Sequence, residues 1–162
     1  MARERLKADF SLPRALTYRM HLLHKLTDLE SQRRYPLESG LSLSDGRSLS
    51  AIGAFGSLSV NALAQHANLD KGQASRAAQS LVGQDLVVKT SAPNDGRGVQ
   101  LSLTASGRKA WVRIRDLIER RNQEIFGCLL PQEQRLLGEM FDRLIQHARS
   151  ACVTDSNLPP NP

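Results

Sequence analysis

The sequence of this 162-residue chain is poor in aromatic residues and in cysteine. Phe, Trp and Tyr make up only 4% of the residues, so a core must be built mainly from Leu, Ala, Ile and Val. Cys128 and Cys152 are too few for a disulfide framework and fit a reducing compartment. No apolar run approaches the roughly 18 residues that span a membrane, and no apolar segment follows the basic start. We therefore expect a cytoplasmic protein.

Motifs of catalysis are also missing from the sequence. It contains no glycine-rich phosphate loop, no HExxH pair, no nucleophile elbow and no cysteine-rich ligand set. His21 and His24 share a helix face at three-residue spacing, but two histidines are a weak metal signal and structural roles are favoured. We expect a protein without enzymatic activity, cofactor or bound metal.

The stretch from Ser59 to Thr104 has the pattern of two short helices followed by a β-hairpin. Ser59 is placed to cap the first helix, and Asp70 with Gln73 has the spacing of a capping box for the second. The apolar stripes of the two helices are rich in alanine, which lets helices cross closely as a helix-turn-helix requires. These stripes consist of Val60, Leu63, Ala64 and Ala67, and of Ala74, Ala77, Ala78, Leu81 and Val82.

The opposite face of the second helix is polar. Its side chains could reach phosphates or base edges of DNA, although an ordinary solvated face explains them equally well. They are Lys71, Gln73, Ser75, Arg76, Gln79 and Ser80.

The hairpin favours the DNA-binding interpretation. Residues 86–91 are β-branched and apolar, and residues 99–104 alternate between apolar and polar at the period of a half-buried strand. The segment Pro93–Gly98 between them is rich in turn residues, so Arg97 is predicted at the tip, where a guanidinium can enter a narrow minor groove. Asp95 is expected to brace this turn, although both residues could be plain turn residues.

Several motifs, in order, resemble the MarR-type winged-helix transcriptional regulators. The resemblance runs in register from Leu41 to Trp111, and more loosely to Ala148. It includes Leu58-Ser-Val60, Leu63-Ala64, Leu69-Asp-Lys71, Ser75-Arg76, Asp95-Gly-Arg97, Leu103-Thr104 and Gly107. It implies that Gln73, Ser75 and Arg76 read the major groove, that Arg97 enters the minor groove and that Asp95 braces the wing.

Two glycines depart from the family pattern. Gly46 stands where a bulky residue is common, and we expect it to enlarge a cavity. Gly72 replaces a small hydroxyl residue, which predicts a weaker start of the recognition helix.

The predicted fold is mainly α with a small β-hairpin wing, a winged helix-turn-helix embedded in a helical dimerisation domain. One domain is expected over residues 1–152, with the winged helix at about 41–104 and dimerisation helices at 10–35 and 105–150. Residues 153–162 are expected to be a disordered tail. The net charge of +6 favours a polyanionic partner.

These features predict a homodimeric repressor that binds a pseudo-palindromic site on double-stranded DNA and responds to a ligand. The resemblance implies a ligand pocket between the dimer helices and the winged module, and an arginine beside aromatic rings with the space expected at Gly46 would fit a small anionic aromatic ligand. The candidate pocket residues are Tyr18, Arg19, His21, His24, Arg47 and Trp111. Two alternatives remain: a winged-helix scaffold for protein interactions, and a redox sensor using Cys128.

Overall fold

The computed structural model describes residues 10–92 and 95–155. For residues 92, 95–98 and 152–155 it describes the backbone but not the side chains. The chain divides into two compact units, Met1–Arg121 and Asn122–Pro162. The first contains the winged helix and the helices that pack on it. The boundary falls inside a long helix, so each unit is described separately.

Two helices precede the winged module. A 3-10 turn, Leu12–Arg14, leads into α1 (Leu16–Ser39), which is followed by α2 (Leu43–Phe55). The structure extends α1 beyond its predicted end, because Pro36 is accommodated in the last turns and Gly40 ends the helix at a φ of +74°. The Ser42 hydroxyl caps α2 by accepting a hydrogen bond from the Asp45 amide at 3.1 Å.

The helix-turn-helix follows as α3 (Val60–His66) and α4 (Lys71–Gly83). Both predicted caps are confirmed. The Ser59 hydroxyl accepts from the Ala62 amide at 3.2 Å, and the Asp70 carboxylate accepts from the Gln73 amide at 2.7 Å. The side chain of Gln73 completes the capping box by accepting from the Asp70 amide at 3.2 Å.

Strands β1 (Val87–Ala92) and β2 (Asp95–Leu103) form the antiparallel wing. Leu58 adds a one-residue bridge to Leu101, which fastens the base of the wing to the segment before α3. The alternation of β2 is confirmed at Leu101, which is fully buried, whereas Val99 is 45% exposed because it lies beyond the core. The backbone of β2 begins at Asp95, so the predicted Pro93–Gly98 turn was too long; residues 93 and 94 lie outside the description.

The last two elements of the described residues are α5 (Ala105–Phe126) and α6 (Pro131–Asp155), close to the predicted helices. Within the first unit, the early part of α5 closes a core whose largest fully buried apolar residues are Leu49, Ile52, Leu63, Leu81, Leu101, Ile114 and Leu117. Helix α6 continues to Asp155 and so includes the first three residues of the predicted tail. In the part of the chain described, no helix is long and apolar enough to cross a membrane.

Candidate nucleic-acid interface and ligand cleft

Helix α4 presents a polar face to solvent and buries the opposite face. Ala74, Ala77, Ala78 and Leu81 are buried against the rest of the winged module. Most of the side chains predicted to contact DNA project outwards: Lys71, Gln73, Arg76 and Gln79 are exposed, and Ser75 is half-buried. A helix held by its alanine face can expose its polar side chains to a DNA groove without disturbing the core.

Gln73 is committed to the start of its own helix. Its carbonyl oxygen accepts a hydrogen bond from the Asp70 amide, which directs the side chain back to the first turn. Bidentate recognition of adenine uses the amide oxygen and the NH2 group together, so it competes with the orientation that the capping bond gives the side chain.

Ser80 faces inwards, unlike the other polar residues predicted for this face. Its hydroxyl donates to the carboxylate of Asp45 on α2 at 2.9 Å. It also accepts from the side-chain amide of Gln84 at 3.0 Å. The sequence interpretation of Ser80 as a DNA-facing residue is therefore wrong, because its hydroxyl joins two helices inside the module.

Gly72 leaves room over the start of α4. A Cβ at this position would lie 3.2 Å from the Asp70 carboxylate and 3.4 Å from a guanidinium nitrogen of Arg76. The bare backbone therefore allows Arg76 to lie close to the first turn. The sequence predicted that Gly72 weakens the start of α4, but the capping box stabilises the helix at that point.

The two wing residues that the sequence selected lie outside the described side chains. The backbone of Asp95 and Arg97 belongs to β2, close to the end of the hairpin. Their predicted roles in bracing the wing and entering the minor groove stay predictions. Cys152 and the basic segment 1–9 also lie outside the described side chains, whereas Cys128 is exposed and free.

A cleft of about 500 Å³ lies in the first unit between α1, α2 and α3, with one residue of α5 on its wall. Arg47 contributes a positive charge to it, and its guanidinium pairs with the carboxylate of Asp28 on α1. The rings of Phe55 and His66 stack with their centroids 4.1 Å apart at the same site. Further polar groups on the lining come from His24, Tyr35, Ser50 and Asn68.

Of the residues in the predicted pocket, Arg47 and His24 lie on this cleft. Tyr18, Arg19 and His21 are exposed on the first turns of α1, where the Arg19 guanidinium donates to the Pro13 carbonyl at 3.1 Å. Trp111 lines a separate, smaller cleft of about 260 Å³ beside the base of the wing. The winged module thus brings together only part of the predicted set.

The sequence interpretation missed His66 and Asn68 as cleft residues. Both lie at the end of α3, and Asn68 adopts a φ of +53°, a conformation that asparagine tolerates well. The Asn-Leu-Asp turn before α4 was a usable signal for a conformation of that kind. Nothing in the local pattern links this turn to Arg47, because the link depends on packing between distant segments.

Gly46 does not open a cavity, contrary to the sequence interpretation. A Cβ at this position would overlap the Cδ1 and Cε1 atoms of Tyr35 and would lie 3.5 Å from Ile114. The ring of Tyr35 therefore fills the space, and that residue is only 6% exposed. Burial raises the pKa of the Tyr35 phenol, and the nearby charges of Arg47 and Arg121 offset part of that rise.

Among the described side chains, no three His, Cys, Asp or Glu groups converge on a point where a metal ion could bind. His21 and His24 therefore have no third ligand of these types within that part of the chain. The chemistry that the described cleft can offer is that of an arginine, neutral hydrogen-bonding groups and aromatic walls.

The outward face of α4, the Leu58 bridge and the two-stranded wing define a winged helix-turn-helix protein. Residues 39–98 match the family model of the MarR family. The matched segment covers α2, the helix-turn-helix and β1. No protein with a curated description matches the chain.

Solved structures of low sequence identity share the fold. A MarR/EmrR family transcriptional regulator from Acinetobacter sp. ADP1 is 19% identical, with a TM-score of 0.78 and coverage of 87% of this chain and 99% of its own. Bordetella bronchiseptica BpsR, described with regulation of its DNA binding by 6-hydroxynicotinic acid, is 19% identical at a TM-score of 0.75, covering 83% and 96%. Streptomyces coelicolor PcaV, in complex with its natural ligand, is 21% identical at 0.69, covering 86% and 97%.

Proposed function

We propose that this protein is a transcriptional regulator that binds a specific sequence of double-stranded DNA through α4 and the wing. The observation that carries the proposal is the exposed polar face of α4 behind a buried alanine face. In this proposal Arg76 and Gln79 contact base edges, whereas Lys71 neutralises phosphate. The role is one of binding in the cytoplasm, without catalysis.

The regulator acts as a homodimer in this proposal. Helix α1 exposes large apolar side chains over most of its first half, and a patch of this kind marks an interaction surface. Its exposed residues include Leu16, Met20, Leu22, Leu23, Leu26 and Leu29. Helix α6, described in its own unit, exposes Leu136, Met140, Leu144 and Ile145.

A two-fold dimer would place its two α4 helices about 34 Å apart, one turn of duplex DNA. The recognised site should then be a pseudo-palindrome with half-sites at that spacing. Contacts of Arg97 in the adjacent minor groove would extend each half-site.

A small anionic aromatic ligand is proposed to release the DNA. The descriptions of BpsR and PcaV support a ligand response in proteins of this fold. In this chain the Arg47 guanidinium and the stacked Phe55 and His66 rings supply a charge and an aromatic wall in the 500 Å³ cleft. If the ligand favours a conformation that cannot bind the operator, the free protein represses transcription and the ligand relieves that repression.

Selection of bound sequences from random duplex DNA with the purified protein tests this proposal. The expected result is enrichment of one pseudo-palindrome at moderate salt. A repeat with 2-hydroxybenzoate and 6-hydroxynicotinic acid tests the ligand response. Absence of any enriched sequence would contradict the regulator and favour a protein-interaction scaffold, whereas enrichment unaffected by either acid would remove only the ligand response for these two compounds.

A further inference from the structure

The joint between α2 and α4 contains a buried carboxylate. Asp45 lies on the first turn of α2 and is only 8% exposed. It accepts a hydrogen bond at 2.9 Å from the hydroxyl of Ser80, which lies 35 residues further along the chain on α4. The bond therefore connects the interior of the module with the helix that carries Lys71, Arg76 and Gln79.

Much of the buried face of α4 is made of small apolar side chains. Ala74, Ala77 and Ala78 contribute methyl groups to the buried surface, and Leu81 is the only large residue among the four that α4 buries completely. Apolar contact is non-directional, and small alanine methyl groups constrain the rotation of a helix about its axis less than large interlocking side chains do. A hydrogen bond depends steeply on distance and angle, so the Asp45 bond adds a directional constraint to this contact.

The Asp45 carboxylate holds Ser80 on α4, where a rotation of the helix would change which side chains face the DNA. We infer that Asp45 is a positioning residue, which through Ser80 fixes the rotation of α4 and hence the direction of its DNA-reading side chains. This inference rests on the proposed function for its consequence, although the geometry can be tested without DNA.

The same turn of α2 also reaches the cleft. Arg47 follows Asp45 by two residues, pairs with Asp28 and lines the 500 Å³ space. A ligand bound at Arg47 would therefore contact α2 two residues from the carboxylate that holds Ser80. This places the positioning bond between the proposed ligand cleft and the proposed DNA-binding surface.

The first test measures the orientation of α4 in the free protein. Amide residual dipolar couplings and the melting temperature are compared for the wild type, Ser80→Ala, Ser80→Thr and Gln84→Ala. Gln84→Ala is the matched control, because it removes the other hydrogen bond of the same hydroxyl and leaves Asp45 bonded. We expect Ser80→Ala to change the angle between α2 and α4 or broaden the signals of α4, while the control and Ser80→Thr keep wild-type couplings. Unchanged couplings in Ser80→Ala would overturn the inference.

The second test measures DNA affinity at a temperature where every variant is folded. Ser80→Ala should weaken binding to the selected operator about tenfold, the effect of losing roughly one directional hydrogen bond. Binding to unrelated duplex should change less than twofold, because phosphate contacts tolerate rotation better than base contacts. Ser80→Thr should restore the operator affinity.

A purely structural role would give a different result: operator and unrelated duplex would weaken together, or neither would weaken, and this outcome overturns the inference. If Ser80→Ala fails to fold, Asp45→Asn is measured in its place: its amide oxygen can still accept from Ser80, so wild-type couplings and operator affinity are expected, and a changed angle between α2 and α4 would overturn the inference. If the wild type selects no sequence, the proposed function fails, while the dipolar couplings still decide whether Asp45 positions α4.

Discussion

The ring of Tyr35 lies against the bare backbone of Gly46, so that α1 and α2 meet where a side chain on α2 would have no room. The contact buries an aromatic ring in a chain that has few of them and places the adjacent Arg47 beside the cleft. It is an example of a glycine retained for close packing, where a cavity had been expected. Its consequences can be measured directly.

Gly46→Ala should destabilise the fold by about 1–3 kcal/mol, the usual range for overpacking a tight core. The added methyl group would overlap Tyr35, and Ile114 limits movement on the other side. Urea unfolding measures the change. The matched control is Gly83→Ala at the end of α4, where a Cβ meets nothing within 4 Å and stability should rise by up to ~1 kcal/mol. Equal stability of Gly46→Ala and the wild type would contradict the contact.

Burial of Tyr35 predicts a loss of stability in alkali. Its pKa is raised above the ordinary value of 10.0 in the folded state, so the unfolded chain releases the phenolic proton first. The stabilising contribution is complete below pH 10 and is lost as the pH rises through the folded pKa. The free energy of unfolding, followed from pH 9 to 11, should therefore fall less steeply in Tyr35→Phe than in the wild type.

Tyr18→Phe is the control for this experiment, because Tyr18 is 39% exposed on α1. It should follow the wild-type curve. If Tyr18→Phe and Tyr35→Phe behave alike above pH 10, the burial of Tyr35 does not control the alkaline transition.

The capping box at the start of α4 should be important for both stability and DNA binding. Asp70→Ala removes the acceptor for the Gln73 amide and should cost about 1 kcal/mol in the free energy of unfolding. Fraying of the first turn should also reduce DNA affinity, because Lys71 and Gln73 lie there. Asp70→Ser retains a capping oxygen and should recover most of both losses. A DNA affinity unchanged in Asp70→Ala would show that the first turn does not contact the duplex.

Arg47 should control the response to aromatic acids. If 2-hydroxybenzoate or 6-hydroxynicotinic acid weakens operator binding, Arg47→Gln should remove most of that effect, because the charge that attracts the carboxylate is gone. Asp28→Asn is the matched variant: it breaks the same ion pair but leaves the guanidinium free for the ligand. Titration calorimetry should therefore find binding retained or strengthened in Asp28→Asn. Equal loss in both variants would mean that the ion pair acts only through folding.

The features that could be predicted from the sequence are those determined over one or two turns of chain. Ser59, Asp70 and Gln73 show their capping roles by spacing alone, and the alanine stripe of α4 shows which face is buried. Ser80 lies beside that stripe, and only its partner Asp45, 35 residues away, explains why it faces inwards.

The cleft was harder to predict for the same reason. His66 and Asn68 line the same cleft as Arg47 because α1, α2 and α3 come together there. The periodicity of the sequence within one helix does not predict how three helices pack. The space beside Gly46 likewise depends on which aromatic ring lies above it. Tyr35 is 11 positions away on another helix, so the sequence around Gly46 does not show that a ring fills the space beside it. The glycine alone therefore predicted a cavity.

The central claim is that the outward face of α4 reads base edges, and Arg76→Gln tests it most directly. Arg115→Gln serves as the charge-matched control, because it removes one positive charge from an exposed position on α5. Fluorescence anisotropy of the wild type and both variants, each with the selected operator and an unrelated duplex, gives the six affinities needed. We predict that Arg76→Gln costs about 1–3 kcal/mol on the operator and little on the unrelated duplex. Equal, small losses for both variants on both duplexes would contradict the account.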